Sequence, residues 1–148
     1  MMHQKNFSYT PDDGESEQAS NSYLMSLVGI IAGLPLPILN LIATLIFFTA
    51  NRNKSYFVRW HCTQALLSQV SLLLMNSVAF WWTFSIFFEG KTISNPYFAY
   101  ILTVLLFNLI EFAATIYTAI ETRKGNHISW WVVGSLAQVL CKPKIARV

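Results

Sequence analysis

Among the polar side chains inside otherwise apolar stretches, Asn40, Gln69, Asn108 and Glu111 are the candidates for an intramembrane polar cluster. Of these only Glu111 is ionisable. A carboxylate ionised in hydrocarbon is costly, so Glu111 must face protein and be either protonated or paired. Two chemistries fit. A neutral Glu111 can clamp helices by bonding to Gln69 or Asn40, each such bond worth about 0.6–2 kcal/mol. An intramembrane acid that exchanges its proton can instead titrate or contact a solute. The clamp is the simpler reading and the preferred one. A second group, Arg59, His61 and Gln64, stands where basic sequence gives way to apolar sequence. His61 could titrate near neutral pH, yet no serine or cysteine nucleophile with a recognisable motif and no second base accompanies it, so the residue types form no catalytic set. Cys62 and Cys141 are too few for a zinc site and are expected as free thiols near a reducing face. No metal, cofactor or enzymatic activity is implied.

Such residues need long helices to hold them at depth. The chain has 148 residues, 54% hydrophobic and only 11% charged, against roughly 25% charged in an ordinary soluble domain. A helix of about 20 apolar residues crosses a hydrocarbon core of about 30 Å. Three runs reach that length: Tyr23 to Ala50 and Cys62 to Phe88 carry no charge, and Ser94 to Ile120 carries only Glu111. Spans are therefore expected over about 23–50, 60–88 and 96–120. The fourth apolar piece, 128–141, is too short to cross. With Ser135, Gln138 and Lys142 on one face, Trp130 and Trp131 at headgroup level and a stop at Pro143, it reads as an interfacial amphipathic helix. Counted inward at about 1.5 Å per residue, Asn40, Gln69 and Glu111 lie at one level. Asn108, Glu111, Thr115 and Thr118 share a face of the third helix, and His61, Gln64 and Ser68 one of the second.

Orientation follows the bias of basic residues. Arg52, Lys54, Arg59, Arg123, Lys124, Lys142, Lys144 and Arg147 fall on one side, and only Lys5 and Lys91 on the other. That predicts a cytoplasmic C-terminus, with Arg123, Lys124 and Lys142 meeting anionic lipid headgroups. The N-terminal segment 1–22, with Asp12, Asp13, Glu15 and Glu17, reads as a disordered acidic tail outside, and 142–148 as a basic tail. It has no cleavable leader pattern. The first span contains Pro35 and Pro37, each removing a helical hydrogen bond, so a kink is expected. The segment could instead re-enter, which would return the N-terminus inside; the single basic residue ahead of it favours the kinked span. Gly29 and Gly33 form a GxxxG pattern that lets helices approach closely. Trp81, Trp82 and Tyr97 on one side, with Tyr56, Trp60, Trp130 and Trp131 on the other, fit two aromatic belts.

The stretch Phe57-Val58-Arg59-Trp60-His61-Cys62-Thr63-Gln64-Ala65-Leu66 resembles the signature of small prokaryotic multi-pass membrane proteins of unknown function, a family related to the twenty-kilodalton subunit of the chloroplast inner-envelope (Tic) import translocon. The likeness extends to Pro35 or Pro37 and to the Lys124-Gly125 turn, over roughly residues 24–140, although Ser129-Trp130-Trp131 stands where that family has a Tyr-Pro pair. It implies a compact helical membrane domain engaged in protein transport or membrane-protein assembly, and it assigns no catalytic residue.

The sequence is thus read as an all-α inner-membrane protein of three transmembrane helices, the first proline-kinked, plus an interfacial C-terminal helix. Three spans give too little wall for a wide pore, so the expected role is a non-enzymatic subunit or accessory of a larger assembly. Its partners would be other integral membrane proteins and anionic lipids, with no nucleic acid and with a homo-oligomer left open. The alternative is a small oligomeric proton-coupled permease or channel built on Glu111, Gln69 and Asn40.

Overall fold

The structure, a computed structural model, describes residues 2–33 and 37–141, except for the side chains of residues 5, 29–33, 37, 39 and 40. Among these the chain forms a strand β1 (Met2–Lys5), helices α1 (Asp13–Gly33), α2 (Pro37–Asn51), α3 (Tyr56–Glu89) and α4 (Asn95–Arg123), a strand β2 (His127–Trp130) and a helix α5 (Trp131–Leu140). Expectations resting on Asn40, on the conformation at Pro35 and on Lys142 lie outside the described residues.

Two helices are long and apolar enough to cross a membrane, α3 and α4, with mean hydropathy of 1.6 and 1.9 over their most apolar windows. At 34 and 29 residues they measure about 51 and 44 Å, longer than a hydrocarbon core of about 30 Å. Ser55 caps α3 by accepting from the Val58 amide at 3.5 Å. Gly90, at φ 66°, ends it in a left-handed turn open to glycine. Pro96 stands in the first turn of α4, where a missing amide costs nothing.

The first apolar run is not one kinked span. Ala19 of α1 packs in one cluster with Phe57 and Val58 of α3, and Phe47 and Phe48 of α2 pack against it. In a continuous helix Ala19 and Phe47 would lie about 42 Å apart. Their meeting shows that the chain runs inward along α1 and returns along α2 as a hairpin. This corrects the expected span over 23–50 and leaves two long apolar helices in place of three.

The N-terminal segment differs as well. Residues 13–22 are helical because Asp12 caps α1, its carboxylate accepting from the Glu15 amide at 2.7 Å while Glu15 reaches back to the Asp12 amide at 3.4 Å. Ser16, Ala19, Ser20, Ser22 and Ser26 of α1 are buried, small residues that let helix backbones approach closely, and Tyr23 is buried among them. Ahead of α1, β1 pairs antiparallel with β2, His3 opposite Ser129. The N-terminus therefore sits at the same end as Arg123 and Lys124, not at the opposite end.

Buried residues of α3 extend from Phe57 to Leu72 and those of α4 from Val104 to Thr122. The α1–α2 hairpin, β2 and α5 pack around the long pair from its basic end, with Ser20 of α1 bonded to the Ala119 carbonyl of α4. The short helix α5 starts at Trp131, later than the expected 128, because 128–130 belong to β2. It packs on α3 through Ala137, beside Trp60 and Cys141, and exposes Trp131, Val132, Leu136, Val139 and Leu140, as an interfacial helix would.

Candidate functional site

At the basic end a line of buried polar groups joins three elements. Gln64 Nε2 donates to the Tyr23 hydroxyl at 2.8 Å and to the Ile128 carbonyl at 3.1 Å, while Gln64 Oε1 accepts from the Trp130 amide at 3.0 Å. The Tyr23 hydroxyl lies 2.8 Å from His61 Nδ1, and His61 Nε2 lies 3.2 Å from His127 Nδ1. One assignment of protons satisfies every contact: Tyr23 donates to Nδ1 of a neutral His61, whose Nε2–H donates to Nδ1 of a neutral His127. Trp130 Nε1 donates to Thr118 Oγ1 at 2.8 Å, which ties β2 to α4.

The imidazoles are boxed by aromatic rings. The centroids of Phe57 and Trp60 lie 4.5 and 5.0 Å from that of His61, and Trp60 and Phe7 lie 4.3 and 4.8 Å from that of His127. A Cβ on Gly134 of α5 would collide with Ser129 Oγ and sit 3.0 Å from Gln64 Oε1, so a larger residue here would have to displace the serine hydroxyl. Beyond His127 a cavity of about 200 Å³ opens among Asn6, Phe7, Tyr56, Trp60 and Gln138. Chemically the line can hold helices in register and relay a proton from hydroxyl to imidazole to imidazole. No serine or cysteine is paired with a base in it. Among the described residues no group of three or more His, Cys, Asp or Glu could hold a metal ion.

Of the residues singled out from sequence, His61 and Gln64 meet in this network, while Arg59 lines a separate groove with Arg52 and Cys141. Arg123 pairs with Glu17 at 3.6 Å and Lys124 with Glu121 at 2.6 Å. The polar group expected within the membrane does not converge among its described members, Gln69, Asn108 and Glu111. Asn108 bonds to Asn76 of α3. Gln69 is buried with neither amide atom bonded, and Glu111 lies beside Ser68 with Oε1 buried and unbonded. The expected Glu111–Gln69 clamp is absent, since a 100° turn between Ser68 and Gln69 points them to different neighbours.

Tyr23, His127 and Trp130 of the network, and Asn76 beside Asn108, are not among the site residues expected from sequence. For Asn76 a signal existed: it stands 14 residues before Gly90 as Asn108 stands 14 after Ser94, equal depths on two helices joined by a short turn. For Tyr23 and His127 there was none, because their meeting depends on the α1–α2 hairpin and the β1–β2 pairing.

A family model described as the magnetosome magnetite crystal formation protein family (MamF/MmsF) matches residues 17–139. No curated protein and no solved structure matches. The family match overturns the resemblance to the Tic-related family, since the two cannot both name the family. The motif that carried the resemblance, His61 to Leu66, is accounted for by packing: His61 and Gln64 face the buried network and Ala65 packs against Tyr23 and Ala119.

Proposed function

The chain belongs to the magnetosome magnetite crystal formation protein family, and from that premise we propose that it is a non-enzymatic integral subunit of the magnetosome membrane that acts in magnetite crystal formation through contacts with other membrane proteins. The observation that carries the reading is the extent of the match, residues 17–139, which takes in both long apolar helices and the buried network. In this reading α3 and α4 cross the bilayer, the α1–α2 hairpin re-enters from the basic side, and both termini face the cytoplasm. The bias of basic residues supports that orientation, because β1 brings Lys5 to the basic end and leaves Lys91 alone at the other among the described residues.

A second reading, a small proton-exchanging permease or channel, is favoured by one observation, the unbonded and buried Oε1 of Glu111. The test of the first is deletion of the gene, with electron microscopy of crystal size and shape and immunoblotting of purified magnetosome membranes. Altered crystals restored by the intact gene, with the protein in that membrane, are expected. Unaltered crystals would refute the proposal.

A further inference from the structure

Between β1 and α1 the chain crosses the His127 end of the buried network in residues 6–10. The ends of this segment are fixed, by the β1–β2 pairing through Lys5 opposite His127 and by the Asp12 cap of α1. Its middle is not. Among the described residues no backbone hydrogen bond holds positions 6–10, and of their side chains only the Tyr9 hydroxyl is bonded, at 3.3 Å to Glu15 and 3.4 Å from the Phe57 amide. Asn6, Ser8, Tyr9 and Thr10 are exposed and Phe7 is half-buried. The Phe7 ring stacks on Tyr56 at 5.2 Å and meets Phe57 edge-on at 5.0 Å and His127 at 4.8 Å. Two cavities flank it. The one of about 200 Å³ and a second of about 340 Å³, on the side of Thr10 and Asn126, share the walls Asn6, Phe7 and His127, so the ring is a partition between them.

We propose that residues 6–10 are a strap that lifts while β1 stays paired, with the Phe7 ring as its latch, and that lifting admits water and small solutes to the His127 end of the buried network. Segments that open locally are those with few buried apolar contacts and few hydrogen bonds, and this one has a single half-buried ring and a single bonded hydroxyl. What lies beneath sets the cost of opening. Withdrawing a ring from an apolar core leaves a void that stays dry, whereas both cavities here carry groups able to hold water, Ser129 and Gln138 in one, Thr10 and Asn126 in the other. Raising Phe7 joins the cavities and wets His127. Lowering it restores the aromatic box around the imidazoles. The strap operates independently of any role in crystal formation.

The experiment is modification of the full-length protein in mild detergent with diethyl pyrocarbonate, its initial rates mapped by peptide mass spectrometry. The chain has three histidines: His3 is exposed, and His61 and His127 are buried. His3 should react first. His127 should react at least about tenfold faster than His61, because the strap uncovers the one while only wider unfolding uncovers the other. Phe7→Ala should raise the His127 rate about tenfold or more by removing the latch, with the His3 rate unchanged. Phe7→Leu, which keeps an apolar side chain, should raise it by a smaller factor. If Phe7→Ala unfolds the protein, the His61 rate climbs together with that of His127, and Phe7→Leu carries the measurement. Equal rates for His61 and His127 in the natural protein would overturn the strap, since His127 would then be reached only by unfolding. A His127 rate unchanged in both Phe7 variants would overturn it too, the imidazole then being reached through a standing opening.

Discussion

Asn76 and Asn108 are bonded to each other twice, Asn76 Nδ2 donating to Asn108 Oδ1 at 3.1 Å and Asn108 Nδ2 donating back to Asn76 Oδ1 at 2.8 Å. The pair joins α3 to α4 in the parts of the two helices that lead toward Gly90. Tyr100, whose hydroxyl donates to the Met75 carbonyl at 3.0 Å, and Tyr97, 3.1 Å from Thr83 Oγ1, complete the polar contacts there. Two helices surrounded by hydrocarbon gain nothing from the hydrophobic effect by associating, so packing and such bonds must hold them.

We therefore expect Asn76→Leu and Asn108→Leu each to lower stability by about 0.6–2 kcal/mol. The double substitution should cost no more than either single one, because it leaves no amide without a partner. Reversible unfolding in mixed micelles measures all three. Additive losses would show that the two amides act on other neighbours.

Tyr23→Phe keeps the ring in its buried place and deletes one hydroxyl. It leaves Gln64 Nε2 with the Ile128 carbonyl alone and His61 Nδ1 with no donor. Leaving buried groups unpaired costs about 1–3 kcal/mol, so the midpoint of thermal unfolding should fall. Tyr9→Phe removes only an exposed contact to Glu15 and a long one to the Phe57 amide, and should fall less. Equal effects would deny the network its role in joining α1 to α3.

The hairpin makes a topological expectation. After Cys62→Ala and Cys141→Ala, single cysteines in place of Ser8, Ser94 and Asn126 should split into two classes toward an impermeant thiol reagent in intact cells. Ser8 and Asn126 should behave alike and stay unlabelled, and Ser94 should react. Joint labelling of Ser8 and Ser94 would restore a single first span.

The sequence made α3 and α4 legible because an uncharged run of that length has few other uses, and made α5 legible because it is too short to cross. It exposed His61 and Gln64 through their setting beside Arg59. What it hid depends on distant pairing. Pro35 and Pro37 signal a break, but a kink and a reversal look alike until Ala19 meets Phe47. Residues 13–22 read as disordered because their helix is buried through serine and alanine, and small residues leave no apolar periodicity. The polar layer failed for a related reason: equal depth placed Gln69 and Glu111 together, while rotation about each helix decides who faces whom.

Glu111 separates the two functions. Glu111→Gln keeps almost the same volume and can still bond to Ser68, but it can neither bind nor release a proton. If Glu111 is a neutral structural group, the variant should restore crystals of normal size in a deletion strain, and Glu111→Leu should lower stability by about 0.6–2 kcal/mol, the worth of one bond within the membrane. If the site exchanges protons, Glu111→Gln should abolish function at normal abundance, since a residue that cannot titrate cannot relay. We expect the first outcome, because a carboxyl this deep with one oxygen unbonded is most cheaply held neutral. Immunoblots of magnetosome membranes distinguish a dead protein from a missing one. An abundant Glu111→Gln protein with defective crystals would reverse the preference and make the proton-exchanging reading the stronger of the two.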